Sequence, residues 1–277
     1  MKLFGKKKEK VSFGQVEHKT LHKNLSFTAT EQYKLLRTNI EFTLPQDEKC
    51  RIVGVTSSMR GEGKSTTAIN LSYVLAEKGS KVLIIDGDLR IPSVAKKLQI
   101  PSKPGVTNLL MAKSSDVEAF KSDLLDNWYI IPAGDIPPNP SELLGSDRMK
   151  ALIEELKKQF DYIVIDLPPV NIVSDALSVS PFIHGMIVVV REEYTEKKEL
   201  TRCMRQLSLS NVKVLGCVLN EARSGNGSYG KYKYKKYRHG YGYGYGYGYG
   251  YGYGYGYGYY KHHKDNDETT SKENNDK

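Results

Sequence analysis

Cysteine is scarce in this chain: three in 277 residues, and widely scattered. Cys50, Cys203 and Cys217 have neither metal-ligand spacing nor an even count, which excludes a disulfide framework and a thiolate metal site. Each lies in or near an apolar run, so buried free thiols in a reducing compartment are expected. Long hydrophobic runs are missing too. The longest, MIVVV within FIHGMIVVV, is far too short to cross a bilayer. The basic start, MKLFGKKKEK, is not followed by the apolar stretch and cleavage site of a secretory signal. Net charge is absent where a nucleic-acid reader would carry it. The formal +9 sits at the ends. Residues 1–30 hold seven Lys/Arg against two Asp/Glu, residues 229–277 nine against five, and residues 31–228 are neutral. No nucleic-acid partner is expected. The KKKEK stretch reads either as a solvated terminus or as a weak attraction to an anionic lipid surface. His184, His239, His262 and His263 form no metal-ligand pattern.

What is present is a repeating beat of short apolar runs and helical patterns. RIVGVTS, KVLIIDGD, WYIIPAG, FDYIVIDLPP, HGMIVVVR and VKVLGCVLN are runs without polar alternation. Strands buried on both faces look like this, and they belong to parallel sheets covered by helices. Between them lie amphipathic stretches. TEQYKLLRTNIEF puts Tyr33, Leu36 and Ile40 on one face, with Leu35 and Phe42 beside them and Thr30 as N-cap. DRMKALIEELKKQF carries Met149, Leu152, Ile153, Leu156 and Phe160 on one stripe. NPSELL reads as a helix start, with Asn139 capping, Pro140 in the first turn and Glu142 closing the box. Strands alternating with helices predict an α/β fold: a doubly wound, mainly parallel sheet with helices on both faces and ligands at the carboxyl ends of the strands. Residues 1–25 read as a flexible basic lead and residues 26–224 as the folded domain. Residues 225–277 have almost no aliphatic side chains, and a disordered tail is expected there.

The chemistry begins at Ser58-Met-Arg-Gly-Glu-Gly-Lys-Ser65. It fits G-x-x-x-x-G-K-[ST] everywhere except at Ser58. A strand precedes it and a helix follows, as a phosphate loop requires. The backbone of Ser58, Met59, Arg60, Gly61, Glu62, Gly63 and Thr66 would cradle phosphate oxygens, Gly61 and Gly63 allowing close approach. Lys64 would reach the outer phosphates, and Ser65 would offer its hydroxyl to Mg²⁺. Asp86 and Asp88, two residues apart, end one apolar strand on the same side of its pleat, and Asp166 ends another. Magnesium nucleotide needs carboxylates to hold the metal through its water shell, and phosphoryl transfer needs an acceptor for the nucleophile's proton. ATP and Mg²⁺ are therefore the expected ligands. Asn220, closing VLGCVLN, is either a contact to the base or a turn former.

The loop SMRGEGKST, the acidic motifs IIDGDLR and YIVIDLPP, and the segment AGDIPPNPSELL occur in the order found in the bacterial tyrosine kinases. The chain resembles that family over residues 25–240. The resemblance implies a P-loop fold, with Lys64 and Ser65 on phosphate and metal. Asp86 and Asp88 would organise Mg²⁺ and accept the phenolic proton, and Asp166 would act on the metal through water. An amino-proximal E-x-x-R-x-x-R helix that closes a ring of subunits in the family reads Glu31, Lys34 and Arg37 here, with lysine in place of the middle arginine. Lysine keeps the charge but loses the two-pronged geometry. Arg60 stands where proline is common.

The resemblance also gives a meaning to HGYGYGYGYGYGYGYGYGYGYY. Family members that lack a membrane span carry a carboxyl-terminal tyrosine cluster phosphorylated by a neighbouring subunit. Here the acceptors would be Tyr229, Tyr232, Tyr234, Tyr237, Tyr241, Tyr243, Tyr245, Tyr247, Tyr249, Tyr251, Tyr253, Tyr255, Tyr257, Tyr259 and Tyr260. Intervening glycine suits a chain that must present one phenol after another. Alternating Tyr and Gly is also an adhesive composition. The implied partners are a transmembrane polysaccharide chain-length regulator that completes the active form, and a cognate protein-tyrosine phosphatase. The implied place is the inner face of the cell membrane, and the implied process is capsular or extracellular polysaccharide synthesis and export. The rival reading is a regulatory P-loop ATPase of the cell-division or partition type. Those proteins carry a signature lysine five residues before the loop lysine, where this chain has Met59, and they have no tyrosine tail.

Overall fold

The computed structural model describes residues 10–11, 25–111 and 119–222. The expectations for residues 225–277, including all fifteen tail tyrosines, lie outside the described residues, and so does most of the lead.

Among the described residues, eight strands form one sheet. In chain order they are β1 (Lys10–Val11), β2 (Arg51–Ser57), β3 (Val82–Asp86), β4 (Phe120–Ser122), β5 (Trp128–Ile131), β6 (Tyr162–Asp166), β7 (Gly185–Arg191) and β8 (Val214–Asn220). Their spatial order is β1-β4-β5-β3-β6-β2-β7-β8. Every neighbouring pair is parallel except β4 with β5. The six apolar runs of the sequence are β2, β3, β5, β6, β7 and β8. The two short strands β1 and β4 have no such run to mark them, and Lys10–Val11 falls inside the stretch expected to lack structure.

Side chains from alternate positions feed two separate cores, one on each face of the sheet. Val53, Val55, Val82, Ile84, Ile130 and Val164 pack with helix α2 (Lys64–Glu77) and helix α1 (Phe27–Thr43). Ile52, Leu83, Ile85, Ile131, Ile163 and Ile165 pack on the other face. There they meet Met149, Leu152, Ile153 and Leu156 of helix α6 (Asp147–Lys157), together with Phe160, so that stripe lies where its spacing places it. Trp128 is fully buried: its indole N–H donates to Ser72 Oγ at 3.0 Å, and Tyr73 stands edge-on at 5.4 Å. Those contacts satisfy the one polar atom of the ring and lock α2 against β5. The short helices α3 (Val94–Leu98), α4 (Val106–Met111), α5 (Pro140–Leu144) and α7 (Asp175–Ser178), and the longer α8 (Lys197–Leu209), fill the connections.

Four local expectations are corrected. Helix α1 starts at Phe27, not after Thr30, because Ser26 accepts the N–H of Ala29 and caps it a turn earlier. Leu35 and Phe42 of that helix are exposed, while Ile40 is buried: the helix shows the core a narrower stripe than its apolar content suggests. Asn139 precedes α5, but its side-chain amide donates to the Glu142 carboxylate at 2.6 Å instead of its oxygen capping the backbone. Cys50 and Cys203 are buried, but Cys217 is exposed, because β8 is the sheet's edge.

The β2–β7 junction is held by an imidazole. His184 Nδ1 accepts the Ile52 N–H at 2.8 Å, a bond that requires an unprotonated nitrogen. Burial holds its pKa below the ordinary 6.5, although Glu48, 3.9 Å from Nε2, pulls the other way. A depressed folded pKa means that the unfolded chain takes the proton first. The stability from this group is therefore complete above pH 6.5 and is lost as pH falls from there through the lower folded value. Urea midpoints should drop more between pH 7 and pH 5 in the parent than in His184→Asn, whose amide oxygen accepts without titrating; equal slopes would refute this. In the core, Leu83→Ala should cost about 2–5 kcal/mol of unfolding free energy, read from the same midpoints.

Candidate functional site

The parallel register brings the acidic strand ends together. Asp86, the last residue of β3, lies directly opposite Asp166, the last residue of β6, and β2 on the far side of β6 runs straight into the phosphate loop. The loop closes at Gly63, whose φ of 96° is left-handed and favours glycine, and helix α2 begins at Lys64. A Cβ on Gly63 would meet Asn220 Nδ2 at 2.1 Å. Asn220 thus settles against the loop, donating to the Glu62 carbonyl at 3.1 Å.

Glu62 is the loop's internal brace. It is buried, and its carboxylate accepts the Ser58 hydroxyl at 2.7 Å, the Met59 N–H at 2.9 Å and the Thr195 hydroxyl. The serine that replaces the first motif glycine therefore has a task of its own: it supplies one of the donors that keep this buried acid satisfied.

The Lys64 ammonium lies between two carboxylates, 2.8 Å from Asp88 Oδ2 and 3.6 Å from Asp166 Oδ1. It is also 3.4 Å from Ser65 Oγ. Burial works against its charge, but Asp166 and Asp88 outweigh it and raise its pKa above the ordinary lysine value. Asp166 is fully buried, and neither of its oxygens has a hydrogen-bond partner among the described residues. Burial raises its pKa, with Lys64 offsetting part of the effect. Asp86 is spent on the backbone. Its oxygens accept the N–H groups of Asp88, Ser93 and Val94, at 3.2, 3.0 and 3.0 Å, and pin the turn into α3. Burial first, then the Asp166 charge, raises its pKa. Asp88 therefore faces the cavity while Asp86 organises the turn behind it, a division that two-residue spacing alone does not reveal.

The cavity, about 500 Å³, is lined by Arg60, Gly61, Gly63, Lys64, Ser65, Thr66 and Asp88. Ile91, Ser93, Lys97, Asn220 and Glu221 complete its wall, and of these only Asn220 carried a signal in the sequence, as the polar end of an apolar strand. A buried carboxylate that accepts no hydrogen bond and pairs with Lys64, beside a loop with no room for a Cβ at Gly63, fits a metal-bound triphosphate. Among the described residues, no group of three or more His, Cys, Asp or Glu could hold a metal alone. Magnesium keeps waters and phosphate oxygens in its shell and needs only one or two protein carboxylates, so the residues present suit it. Asp88, Asp166 and the Ser65 hydroxyl are the ones that would hold it.

Glu31, Lys34 and Arg37 lie along α1, away from this cavity. Glu31 pairs with Lys34 at 2.9 Å, and Arg37 donates to the Val74 carbonyl of α2 at 2.8 Å.

A protein-family model described as an AAA domain matches residues 50–214. The tyrosine-protein kinase YwqD of Bacillus subtilis is 38% identical over 204 residues, covering 73% of this chain and 86% of that one. The chain belongs to the bacterial tyrosine kinases. Among solved structures, the kinase domain of the Escherichia coli tyrosine kinase ETK superposes with a TM-score of 0.67 at 26% identity, over 86% of this chain and 94% of that one. The septum site-determining protein MinD of Pyrococcus horikoshii, solved with Mg-ADP, gives a TM-score of 0.52 at 28% identity, over 65% and 72% of the two chains. The cell-division ATPases thus share the framework, and the bacterial tyrosine kinases match more of it. No helix among the described residues is long and apolar enough to cross a membrane.

In this kinase, the Gly63→Ala change should separate loop geometry from lysine chemistry. Lys64 stays, but the added methyl drives Asn220 off the loop. Titration with ADP should show binding weakened at least tenfold while the chain remains folded by circular dichroism; parent-like affinity would show that the close approach is dispensable.

Proposed function

We propose that this chain transfers the γ-phosphoryl group of ATP to tyrosine hydroxyls of its own carboxyl-terminal cluster, Tyr229 to Tyr260, on a neighbouring copy. The observation that carries this reading is the Lys64 ammonium poised between Asp88 and Asp166 in the wall of a cavity of about 500 Å³. The backbone of Ser58 to Thr66 binds the triphosphate, and Lys64 follows the charge on its outer phosphates. The phenol oxygen forms a bond to phosphorus, the bond to the β,γ-bridging oxygen breaks, and ADP departs. Asp88 takes the phenolic proton, since it faces the cavity and Asp86 does not. Magnesium, when bound, supplies positive charge to the phosphates.

Residues 26–224 form the catalytic domain in this reading, residues 225–277 the acceptor tail, and residues 1–25 a basic lead. The kinase works beneath the membrane with a transmembrane chain-length regulator as activator, and a tyrosine phosphatase resets it. It thereby regulates capsular or extracellular polysaccharide synthesis and export. Assembly into a ring through Glu31, Lys34 and Arg37 requires those side chains to leave the contacts they make within one copy.

The test is phosphopeptide mapping after incubation with labelled ATP and Mg²⁺, with and without the regulator's cytoplasmic segment. Label should appear on tail tyrosines in the parent and vanish in Lys64→Met, which should also lose about 2–5 kcal/mol of ATP binding. Release of free phosphate with the tail bare, even with the regulator present, would sink the kinase reading in favour of an ATPase.

A further inference from the structure

Against the phosphate loop stand side chains that the transfer reaction leaves unused. Three consecutive loop carbonyls, those of Arg60, Gly61 and Glu62, each accept a hydrogen bond from outside the loop. The donors are the Tyr194 hydroxyl at 3.1 Å, Arg191 Nη1 at 3.2 Å and Asn220 Nδ2 at 3.1 Å. A loop that binds anions turns its N–H groups inward, so its carbonyls face outward and need partners there. These three props supply them and fix the peptide planes before any nucleotide arrives. The Arg191 guanidinium also lies 5.0 Å from the centre of the Tyr194 ring and pairs with Glu221. Tyrosine and arginine therefore act as one unit.

Tyr194 has a second property that the other props lack. Of the five tyrosines among the described residues, Tyr73, Tyr129 and Tyr162 are buried and Tyr33 is partly so, whereas Tyr194 is 52% exposed. It is the one described phenol open to another molecule, and its hydroxyl rests on the loop that grips the nucleotide.

We propose that Tyr194 is a phosphoacceptor site outside the tail, and that its modification loosens the phosphate loop and so limits the kinase's own nucleotide binding. The proposal rests on the kinase reading above. The modifying site belongs to a second copy, because the Tyr194 hydroxyl is held on the Arg60 carbonyl and does not line the cavity of its own chain. The Tyr194 oxygen bonds to the γ-phosphorus of ATP, the bond to the bridging oxygen breaks, the phenolic proton passes to an acid of the modifying copy, and ADP leaves. The oxygen that donated to the Arg60 carbonyl has then lost its hydrogen. It carries a group of about −1.5 to −2 charges facing carbonyl oxygens, which repel it. The same group attracts the Arg191 guanidinium and draws it off the Gly61 carbonyl. Two of the three props fail together, and the cradle loses its shape.

The experiment uses the full chain and a variant with all fifteen tail tyrosines changed to phenylalanine. Each is incubated with ATP and Mg²⁺ beside the regulator segment, and the peptide containing Tyr194 is mapped by mass spectrometry. Phosphate at Tyr194 in both, and its absence in Lys64→Met, is the expected result. Label on the tail without Tyr194 overturns this proposal and leaves the kinase reading standing; label on neither overturns both. A second arm needs no activity. Tyr194→Phe keeps the ring and its arginine but loses the hydroxyl, and ADP affinity by calorimetry should fall about 3- to 10-fold, the value of one hydrogen bond. The Tyr194-phosphorylated protein should bind more weakly still, at an unchanged far-ultraviolet circular dichroism spectrum. Parent-like affinity in either form overturns the proposal.

Discussion

The site depends on one buried electrostatic arrangement: a lysine ammonium lodged between Asp166, at the end of β6, and Asp88, two residues past the end of β3. Two carboxylates this close would repel each other in a medium that screens poorly, and burial raises the pKa of Asp166. Lys64 makes the cluster tolerable by sitting 2.8 Å from one acid and 3.6 Å from the other. The same cation is what a triphosphate requires. On the proposed reading, Lys64 waits in an internal salt bridge, and nucleotide would have to compete with Asp88 for it. Such a cluster is costly to bury and adds little to stability; its value is that charge already stands where charge will arrive.

Everything else in the fold serves to hold that cluster still. The parallel register sets Asp86 against Asp166, so both acidic ends finish at one level of the sheet. Arg90 grips the buried Asp175 carboxylate with two nitrogens, at 2.8 and 3.0 Å, and ties the turn after β3 to the start of α7. Bidentate pairs of this kind specify orientation as well as energy. The loop that follows β6 is thereby fastened to the loop that follows β3, beside Asp88 and Asp166.

Much of this was legible in the residues. Apolar runs without alternation gave the six main strands, and their beat with the helices gave a parallel sheet, because a strand covered on both faces leaves an unbroken hydrophobic signature. The phosphate loop was legible because its backbone task restricts residue type at each position. The short strands β1 and β4 were not legible. Two or three residues hold no periodicity, and their pairing depends on what lies next to them in space. The unequal roles of Asp86 and Asp88 were hidden for a similar reason. Both are acids at a strand end, and only the fold of the following turn shows that three N–H groups occupy one of them. Glu62, Thr195 and Arg191 form contacts across more than a hundred residues of chain, which no local pattern encodes.

The strand order has a consequence for how the protein comes into being. β2, which launches the phosphate loop, is the first long strand among the described residues, yet its sheet neighbours are β6 and β7. Arg51 and its cross-strand partner Tyr162 are 111 positions apart. The carboxylates, the brace from Thr195 and the contact from Asn220 are all translated later than the loop they complete. A nascent chain therefore has no means of gripping ATP until nearly the whole globular part has emerged, and long-range parallel pairing of this sort is slow to form. Nucleotide cannot template its early folding. On the kinase reading, the phosphate grip is among the last things this chain acquires, and a product truncated before β6 would lack the acid that pairs with Lys64.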